Sequence, residues 1–480
     1  MGACLHIHAF TTPYRQARLA KLREPQFRQV YRMFFALDFA AASFWSAQPR
    51  SAACTITGMM TSRSTCPRYE LAAFDPLDLR DPFPALAYAQ QRQPVFYSAA
   101  IDYWVVTRHV DIKAIFRDHH RYSAANTITP IVPFSDAVQR LLSAGDYKPE
   151  PVLSNHVPPG HTRIRSLVNR LFTPRRMNSF APAIRQIARD AVAQLPAPPV
   201  DIVSALTYTF PAQVLFAVLG VPEADVPQVK AWASSRIKLY YGRPSGAEQL
   251  EMTADLVPFW RYVVALVADK AKSPGDDLIS DLIRMRNGDD KVISRNEIAS
   301  CMITLLVAGH ETTTAQLSNA LLHLLGDESR RANRQGAAQS HWQTLREQPA
   351  LVPQALEEMM RYDPSVCAWR RLSLVPSSIG GVDIPAGANL LLMLHAANRD
   401  PALFPEPDVI CLGRDNRKDQ LAFGYGIHYC VGAPLARLEM RILLETLLAE
   451  LPSLRRVAGQ EIDYPRNISF RGPLSLWVSW

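Results

Sequence analysis

The amino-acid sequence predicts a single large domain that is mainly α-helical with a minor β portion. Apolar residues recur at helical spacing in long stretches from residue 60 onward, whereas strand patterns are short. Hydrophobic residues make up 48% of the chain and charged residues 20%, which is ordinary globular usage. A chain of 480 residues is long enough to bury a large cofactor, although length alone does not count domains.

Several segments have the apolar periodicity of helices. The clearest covers residues 294–325, where Ser294 and Glu297 form a capping-box pattern before about two dozen almost continuously apolar residues. A helix that is apolar on nearly all sides is expected in the centre of a large fold. The other predicted helices are residues 162–194, with a break at Pro174, and residues 201–219, 252–270 and 435–451.

Strand patterns occur in three places. Residues 95–97 and 103–106 are short apolar and aromatic runs, and the turn-rich stretch 373–393 contains two glycine-bearing turns. Between the central helix and the next helical pattern, residues 326–340 are polar and rich in arginine, which predicts an exposed loop.

Residues 1–59 differ from the rest and are predicted to be an extension outside the core, with the domain at 60–480. They hold seven basic and two acidic residues, which is +5 of the net charge of +8. Their apolar run at 33–45 contains Asp38 and is too short to span about 30 Å of hydrocarbon, so no stable membrane anchor is expected. Three interpretations of the extension remain open. The start codon is assigned too early and Met60 is the true first residue, or the extension is a targeting peptide, or it is a disordered arm.

Charge and cysteine usage exclude some classes of protein. The remaining charge of +3, without a basic run interleaved with aromatics, argues against a nucleic-acid-binding surface. The seven cysteines are scattered, without paired or zinc-site spacing, which favours a reducing compartment. No flavin or dinucleotide fingerprint is present.

Only Cys430 has surroundings that suggest chemistry. It lies in residues 423–432 (FGYGIHYCVG), directly before a helical pattern that begins with Ala433 and Pro434. Glycines in this run allow tight turns close to a flat ligand, and proline in a first helical turn loses no hydrogen bond. At a helix start, unpaired amides and the helix dipole favour a thiolate.

The central helix contains the polar sequence AGHET at residues 308–312. A glycine within a helix is unfavourable by roughly 1 kcal/mol relative to alanine, so a compensating reason is expected. Ala308 and Thr312 lie on one face, where the small residue leaves room for a diatomic ligand and the hydroxyl can donate a hydrogen bond to it. Glu311 is then a candidate proton relay. Alternatively, Thr312 bonds back to a carbonyl and Glu311 forms an interhelical salt bridge.

Residues 68–480 resemble the cytochrome P450 family. The run FGYGIHYCVG matches the haem-binding motif of that family at every constrained position, and AGHET, the E-x-x-R of Glu358 and Arg361, and the cysteine loop follow in the family's order. The resemblance implies the cytochrome P450 fold, a single domain of triangular outline, and haem b held by the thiolate of Cys430. It also implies a structural cluster of Glu358 and Arg361 with Arg414 as third member.

Buried haem propionates need cationic or hydrogen-bonding partners. His161 and Arg165 lie four positions apart, hence on one helical face, but Gly160 stands where the family commonly has an acidic residue, which puts the local charge balance in doubt. Arg370 and Arg371 compete for one role, and the count of ten positions from Arg361 favours Arg371. The full set of predicted haem-binding residues is His161, Arg165, Ala308, Arg371, Phe423, Gly424, His428, Cys430 and Gly432.

The resemblance implies a soluble bacterial-type monooxygenase in the cytoplasm. Such an enzyme activates O2 with two electrons from a ferredoxin or similar carrier, itself reduced by a reductase from NAD(P)H, and hydroxylates or otherwise oxidises a small organic substrate. Glu311 and Thr312 are the predicted catalytic residues, and Arg437 and Arg441 are candidates to meet an acidic carrier. A peroxide-using or coupling enzyme and a non-enzymatic haem or ligand-binding protein are the alternatives. Pocket-lining residues are expected at 128–154, 304, 308 and 366–368.

Overall fold

The structure is a computed structural model that describes Leu71 and residues 74–326 and 340–480. The predicted extension at 1–59 and residues 327–339 of the predicted exposed loop lie outside the described residues. The helices are α1 (Phe83–Arg92), α2 (His109–Arg117), α3 (Asp136–Ala144), α4 (Gly160–Leu171), α5 (Pro174–Ser179), α6 (Ala181–Ala193), α7 (Phe210–Leu219), α8 (Val226–Tyr241), α9 (Gly246–Lys272), α10 (Leu278–Arg286), α11 (Arg295–Leu324), α12 (His341–Glu347), α13 (Val352–Tyr362), α14 (Leu394–Ala397) and α15 (Ala433–Glu450).

The strands of the described residues form three small sheets. The largest has the order β1-β2-β8-β5-β3, in which β2 and β8 run parallel and the other pairs are antiparallel. A second sheet has the order β4-β10-β9, and β6 and β7 form a hairpin. The strands are β1 (Val95–Ser98), β2 (Tyr103–Val106), β3 (Tyr122–Ser123), β4 (Val200–Asp201), β5 (Ala368–Ser373), β6 (Ser377–Ile379), β7 (Val382–Ile384), β8 (Asn389–Met393), β9 (Arg455–Arg456) and β10 (Trp477–Ser479).

The mainly helical class with a minor β portion is confirmed, but one predicted helix is too long. Residues 201–219 divide into the end of β4, a turn of π-helix at Val203–Thr207, and α7 from Phe210 onward. Asp201 stops helix propagation, because its carboxylate accepts hydrogen bonds from the backbone N–H groups of Val203 and Leu476. The predicted helical stretch 162–194 likewise contains a second break, at Phe180.

Helix α11 is the central element of the fold. Ser294 and Glu297 form the predicted capping box, and most of its 30 residues are buried. Gly309 has a packing reason, because a Cβ atom there would lie 2.8 Å from Leu215 Cδ2 on α7. The glycine therefore lets α7 approach α11 closely, which offsets its low helix propensity. Within the described residues, no helix is long and apolar enough to cross a bilayer.

Candidate active site

The loop before α15 presents Cys430 to an internal cavity. Gly424 and Gly426 have φ angles of +69° and +74°, which side chains rarely adopt. A Cβ atom on Gly426 would also lie 2.4 Å from the carbonyl oxygen of Phe116, so α2 packs directly on this turn. The backbone N–H of Cys430 donates to Phe423 O at 2.9 Å and closes the loop, and Pro434 lies in the first turn of α15, where no hydrogen bond is lost.

The ionisation of Cys430 depends on more than the helix start. Burial raises the pKa of the Cys430 thiol, and this effect outweighs the hydrogen bonds from the backbone N–H groups of Gly432 and Ala433 and the positive charge of Arg165, all of which lower it. The predicted lowering of the Cys430 pKa by the amides at the helix start is therefore present, but it is too small to outweigh burial. A cation bound to the sulfur would supply the charge that stabilises the thiolate.

One face of α11 lines the cavity together with Cys430. Thr304, Ala308 and Thr312 follow one another at four-residue spacing, and all three line the cavity. Ala308 is exposed although it lies in the middle of the central helix, because it borders this space. The helix thus presents small and hydroxyl-bearing side chains to the same cavity as the cysteine loop.

The side chains of Thr312 and Glu311 are held by protein partners. The Thr312 hydroxyl donates to Ala308 O at 2.8 Å. The carboxylate oxygen Oε1 of Glu311 accepts a hydrogen bond from Ser234 Oγ at 2.6 Å and lies 3.6 Å from Lys230 Nζ and 3.2 Å from His310 Nε2. Both arrangements that the sequence left as alternatives, the backbone bond and the interhelical ion pair, are therefore present in the structure.

Electrostatics keep Glu311 ionised in this position. Burial alone would raise the pKa of Glu311, but His310, Lys230 and Ser234 outweigh it and lower the pKa to about 2. Burial lowers the pKa of Lys230 to about 8, against the opposing influence of Glu311. At neutral pH the pair is thus a carboxylate and an ammonium group, and this ion pair keeps Glu311 a weak proton acceptor until the two groups separate.

Arg371 is a buried cation at the cavity wall. Its side chain is 2% exposed, and its Nη1 donates a hydrogen bond to Arg370 O at 2.8 Å. Burial lowers the pKa of Arg371 to about 9. Arg370 instead reaches the carbonyl oxygens of Thr127 and Thr129, because consecutive residues of β5 point to opposite faces. Arg371 therefore has no anionic partner among the described residues. A haem propionate would supply this missing negative charge, and Arg165 and His428 also line the cavity.

His161 lies behind the cavity wall. Its ring contacts that of His428, with centroids 4.1 Å apart, and its Nε2 is buried without a hydrogen-bond partner. Burial, then the charge of Arg165, lowers the pKa of His161 to about 4, and burial, then the charge of Arg371, lowers the pKa of His428 to about 3. Both imidazoles are neutral at neutral pH, so each has one N–H group. The Nδ1–H of His428 donates to Leu153 O at 3.1 Å, so His428 has to release this carbonyl or take up a proton before it can donate to an anion.

Gly160 packs against the imidazole ring of His156. A Cβ atom at Gly160 would lie 2.0 Å from Nε2 of His156. The His156 ring therefore occupies the space that a side chain at 160 would need.

Glu358, Arg361 and Arg414 meet in one buried cluster. Arg361 donates to both carboxylate oxygens of Glu358 at 2.8 Å, and Nε of Arg414 lies 3.2 Å from each. The Cys411 N–H also donates to Glu358 at 2.9 Å. The two guanidinium groups further bind backbone carbonyls between residues 398 and 409. The cluster thus ties α13 to the irregular segment that leads towards the cysteine loop.

The remaining cavity wall was predicted only in part. Ile128, Leu153 and Val366 line it as expected, whereas Cys367 and Ala368 are buried in the core. Helices α8 and α15 also line the cavity, which the sequence patterns did not predict. Their lining residues include Arg236, Tyr240, Tyr241 and Glu439. An arginine close to aromatic residues in the sequence could have indicated that Arg236 lines a cavity, but charged residues on helices usually face solvent.

Comparisons with known proteins identify the family. The model of the cytochrome P450 family matches residues 262–454. The chain is 34% identical to the vitamin D(3) 25-hydroxylase of Pseudonocardia autotrophica, covering 82% of this chain and 92% of the relative. It is 33% identical to the mycinamicin IV hydroxylase/epoxidase of Micromonospora griseorubida, covering 78% and 89%. The solved cytochrome P450 CREJ, in complex with (4-ethylphenyl) dihydrogen phosphate, matches with a TM-score of 0.80 at 36% identity, covering 85% of this chain and 99% of that one.

Identity at this level over most of both chains, together with the fold, settles the class of enzyme. The protein is a haem-thiolate monooxygenase of the bacterial type that acts on small organic substrates. It uses haem b and O2, with reducing equivalents from NAD(P)H delivered by a ferredoxin and its reductase. The cysteine loop, the α11 face and the cavity between them thus lie in a chain that belongs to the cytochrome P450 family.

Proposed function

We propose that Cys430 is the axial ligand of the haem iron and that Glu311 and Thr312 deliver the protons needed to hydroxylate a small organic substrate. The observation that carries this proposal is the shared cavity, which Cys430 and the α11 face of Ala308 and Thr312 line together. The buried and anion-free Arg371 supports a propionate at the same place. Bound haem would supply oxygen activation, with the thiolate favouring cleavage of the O–O bond.

The surrounding residues have distinct roles in this proposal. The backbone N–H groups of Gly432 and Ala433 stabilise negative charge on the Cys430 sulfur. Arg165, Arg371 and His428 hold the propionates, and Phe423, Gly424 and Gly432 border the ring. His161 acts indirectly, because its ring contacts that of His428. Glu358, Arg361 and Arg414 brace the segment before the cysteine loop.

Proton delivery requires Glu311 to change partners. In the structure its carboxylate faces Ser234 and Lys230 on α8, and Thr312 bonds to Ala308 O. In the proposed relay the Lys230 ammonium gives a proton to Glu311 and is later reprotonated from solvent. Glu311 then rotates towards the cavity and donates this proton to the Thr312 oxygen, while the Thr312 hydroxyl releases its own proton into the cavity. The ion pair with Lys230 opposes this rotation, so loosening α8 favours proton transfer.

The electron carrier docks on a basic groove beside the cysteine loop. Arg437 and Arg441, the residues favoured from sequence, form ion pairs with Glu357 and Glu445. The groove is lined by three basic residues, one acidic residue and two exposed or half-exposed tyrosines, and Arg117 donates to Tyr425 at its edge. These residues are Lys113, Lys418, Arg437, Asp419, Tyr425 and Tyr429.

The substrate and the location of the protein follow from separate observations. The cavity is lined mainly by apolar side chains, and the solved relative with a bound aryl phosphate supports a compact substrate with an apolar body. Within the described part of the chain, Cys301, Cys367, Cys411 and Cys430 form no disulfide, which supports a reducing compartment and hence the cytoplasm.

The spectrum of the ferrous carbon-monoxide complex tests the proposed ligation. We expect the purified holoprotein to show a Soret band shifted to the long-wavelength position of thiolate-ligated haem, because Cys430 is a cysteine that lines the cavity. Product formation should depend on O2 and on a reduced carrier. A Soret band without the shift, in protein with a full complement of haem, contradicts the proposed ligation.

Replacing Thr312 with alanine tests the proton relay. We expect the variant to bind haem and substrate normally but to release hydrogen peroxide, with product per electron reduced by about tenfold or more, since general-acid groups contribute roughly 10²–10⁴-fold. The matched control is Thr304→Ala, two turns earlier on the same face of α11, which should remain coupled. Peroxide and product are measured against the electrons consumed, and full coupling in Thr312→Ala contradicts the relay.

A further inference from the structure

Arg236 on α8 is a buried cation that lines the cavity without a carboxylate partner. Its side chain is 7% exposed. Its Nη1 donates to Ile303 O at 3.3 Å, and its guanidinium carbon lies 5.5 Å from the centre of the Tyr240 ring. The phenol of Tyr147 is the other group that interacts with it, and no ion pair joins Arg236 to any residue in the described part of the chain. These contacts leave most of the five N–H donors of the guanidinium unused.

Among the other buried basic side chains in the described residues, all except Arg371 have a charged partner or carbonyl partners within the protein. A buried cation is unfavourable unless it is paired and hydrogen-bonded, so a missing partner calls for an explanation. Lys230 pairs with Glu311, Arg361 and Arg414 with Glu358, and Arg471 with Asp363, while Arg370 binds two carbonyls and Arg371 faces the proposed propionate. Arg236 is the buried cation that remains.

The position of Arg236 separates it from the oxygen-activating face. Ile303, whose carbonyl it binds, lies five positions before Ala308 and nine before Thr312 on α11, which is about 8 Å and about 14 Å along the helix axis. Between these points the cavity wall includes Thr304 and apolar side chains. A molecule with its charged end at Arg236 therefore places an apolar body of about 8 Å beside Ala308.

We propose that Arg236 anchors the anionic group of the substrate, and that the enzyme oxidises compact organic anions, carboxylates or phosphate monoesters, at the end remote from their charge. This inference rests on the proposed function of the cavity. A guanidinium group offers paired N–H donors to a carboxylate or phosphate, so it recognises both charge and orientation. The anchored anion satisfies the buried cation and directs the apolar end of the molecule towards Ala308.

Spectral titration of the ferric holoenzyme with matched probes tests the anchor. The probes are 4-ethylbenzoate with its neutral counterpart 4-ethylbenzamide, and 4-ethylphenyl phosphate with 4-ethylphenol, and the spin-state change gives each Kd. We expect at least one anion to bind about tenfold or more tightly than its neutral counterpart, as for a charge-assisted hydrogen bond. The two anion pairs distinguish a carboxylate substrate from a phosphate substrate.

Variants at position 236 separate anchoring from folding. Arg236→Gln should weaken binding of the preferred anion about tenfold or more while the Kd of the neutral probe changes less than about threefold, and Arg236→Lys should retain part of the preference. Arg243→Gln, at an exposed arginine just beyond α8, is the matched control and should behave as wild type.

The carbon-monoxide spectrum of each sample is recorded first, so that a failure of haem-thiolate ligation is recognised separately. Equal binding of anions and neutral probes by the wild type overturns the anchor, with or without stable variants. Equal losses for anion and neutral probe in Arg236→Gln also overturn it.

Discussion

Replacing Cys430 with alanine is expected to remove the long-wavelength Soret band of the ferrous carbon-monoxide complex and to abolish oxygenation. The proposed ligand is lost, and the other described cysteines do not line the cavity, since Cys301 and Cys367 are buried elsewhere and Cys411 is exposed. Without electron donation from sulfur, O–O cleavage loses its main assistance. We expect product formation to fall by about a thousandfold or more, within the roughly 10⁶-fold or larger acceleration typical of enzymes.

The matched control for this variant is Cys411→Ala. Cys411 is exposed and belongs to the segment held by the Glu358 cluster through its backbone N–H, which alanine retains. It should therefore keep haem content, the shifted band and activity. Haem stoichiometry, the carbon-monoxide spectrum and product yield are measured on both variants. A shifted band in Cys430→Ala would show that another residue ligates the iron.

Elements of the fold with local determinants could be predicted from the sequence. Helix α11 follows from a continuous apolar run behind the Ser294 and Glu297 capping box, all within 30 residues. The strand at Val200–Asp201 could not be predicted in this way, because its partner is β10 near the C-terminus. Pairing across such a separation overrides the helical periodicity of 201–219, and no pattern within that segment reports it.

In the candidate site, too, features with local determinants could be predicted from the sequence, whereas those that depend on distant residues could not. The glycines around Cys430 and the E-x-x-R spacing are local patterns. In the structure Gly424 and Gly426 have positive φ angles, and Arg361 donates to Glu358. The partners of Glu311 are distant, with Ser234 and Lys230 on another helix, so the sequence left its side-chain position open. The net pKa of Cys430 depends on burial by the whole fold, which outweighs the amides that its motif supplies.

Replacing Glu358 with glutamine is expected to be the most destabilising of these substitutions. Glu358 and Arg361 are fully buried, and Arg414 is nearly so. Glutamine keeps the volume but removes the negative charge, which leaves two buried guanidinium groups without an anion. Breaking a buried ion pair by removing one partner typically lowers the free energy of unfolding by about 3–5 kcal/mol. Haem retention should fall with it, because the cluster ties α13 to the segment before the cysteine loop.

The neighbouring Glu357 provides the control, since it also pairs with an arginine but at a less buried position. The Arg437 side chain is 36% exposed and that of Glu357 is 13% exposed, whereas Glu358 and Arg361 are fully buried, so Glu357→Gln should destabilise the protein less than Glu358→Gln. Denaturant unfolding with haem absorbance and circular dichroism as separate probes measures both variants. If burial determines how much a charge contributes to stability, the loss in free energy of unfolding should be several-fold larger for Glu358→Gln than for Glu357→Gln. Equal losses would mean that Glu358 acts through its hydrogen bonds, which glutamine partly preserves, and that the charge of the cluster is dispensable.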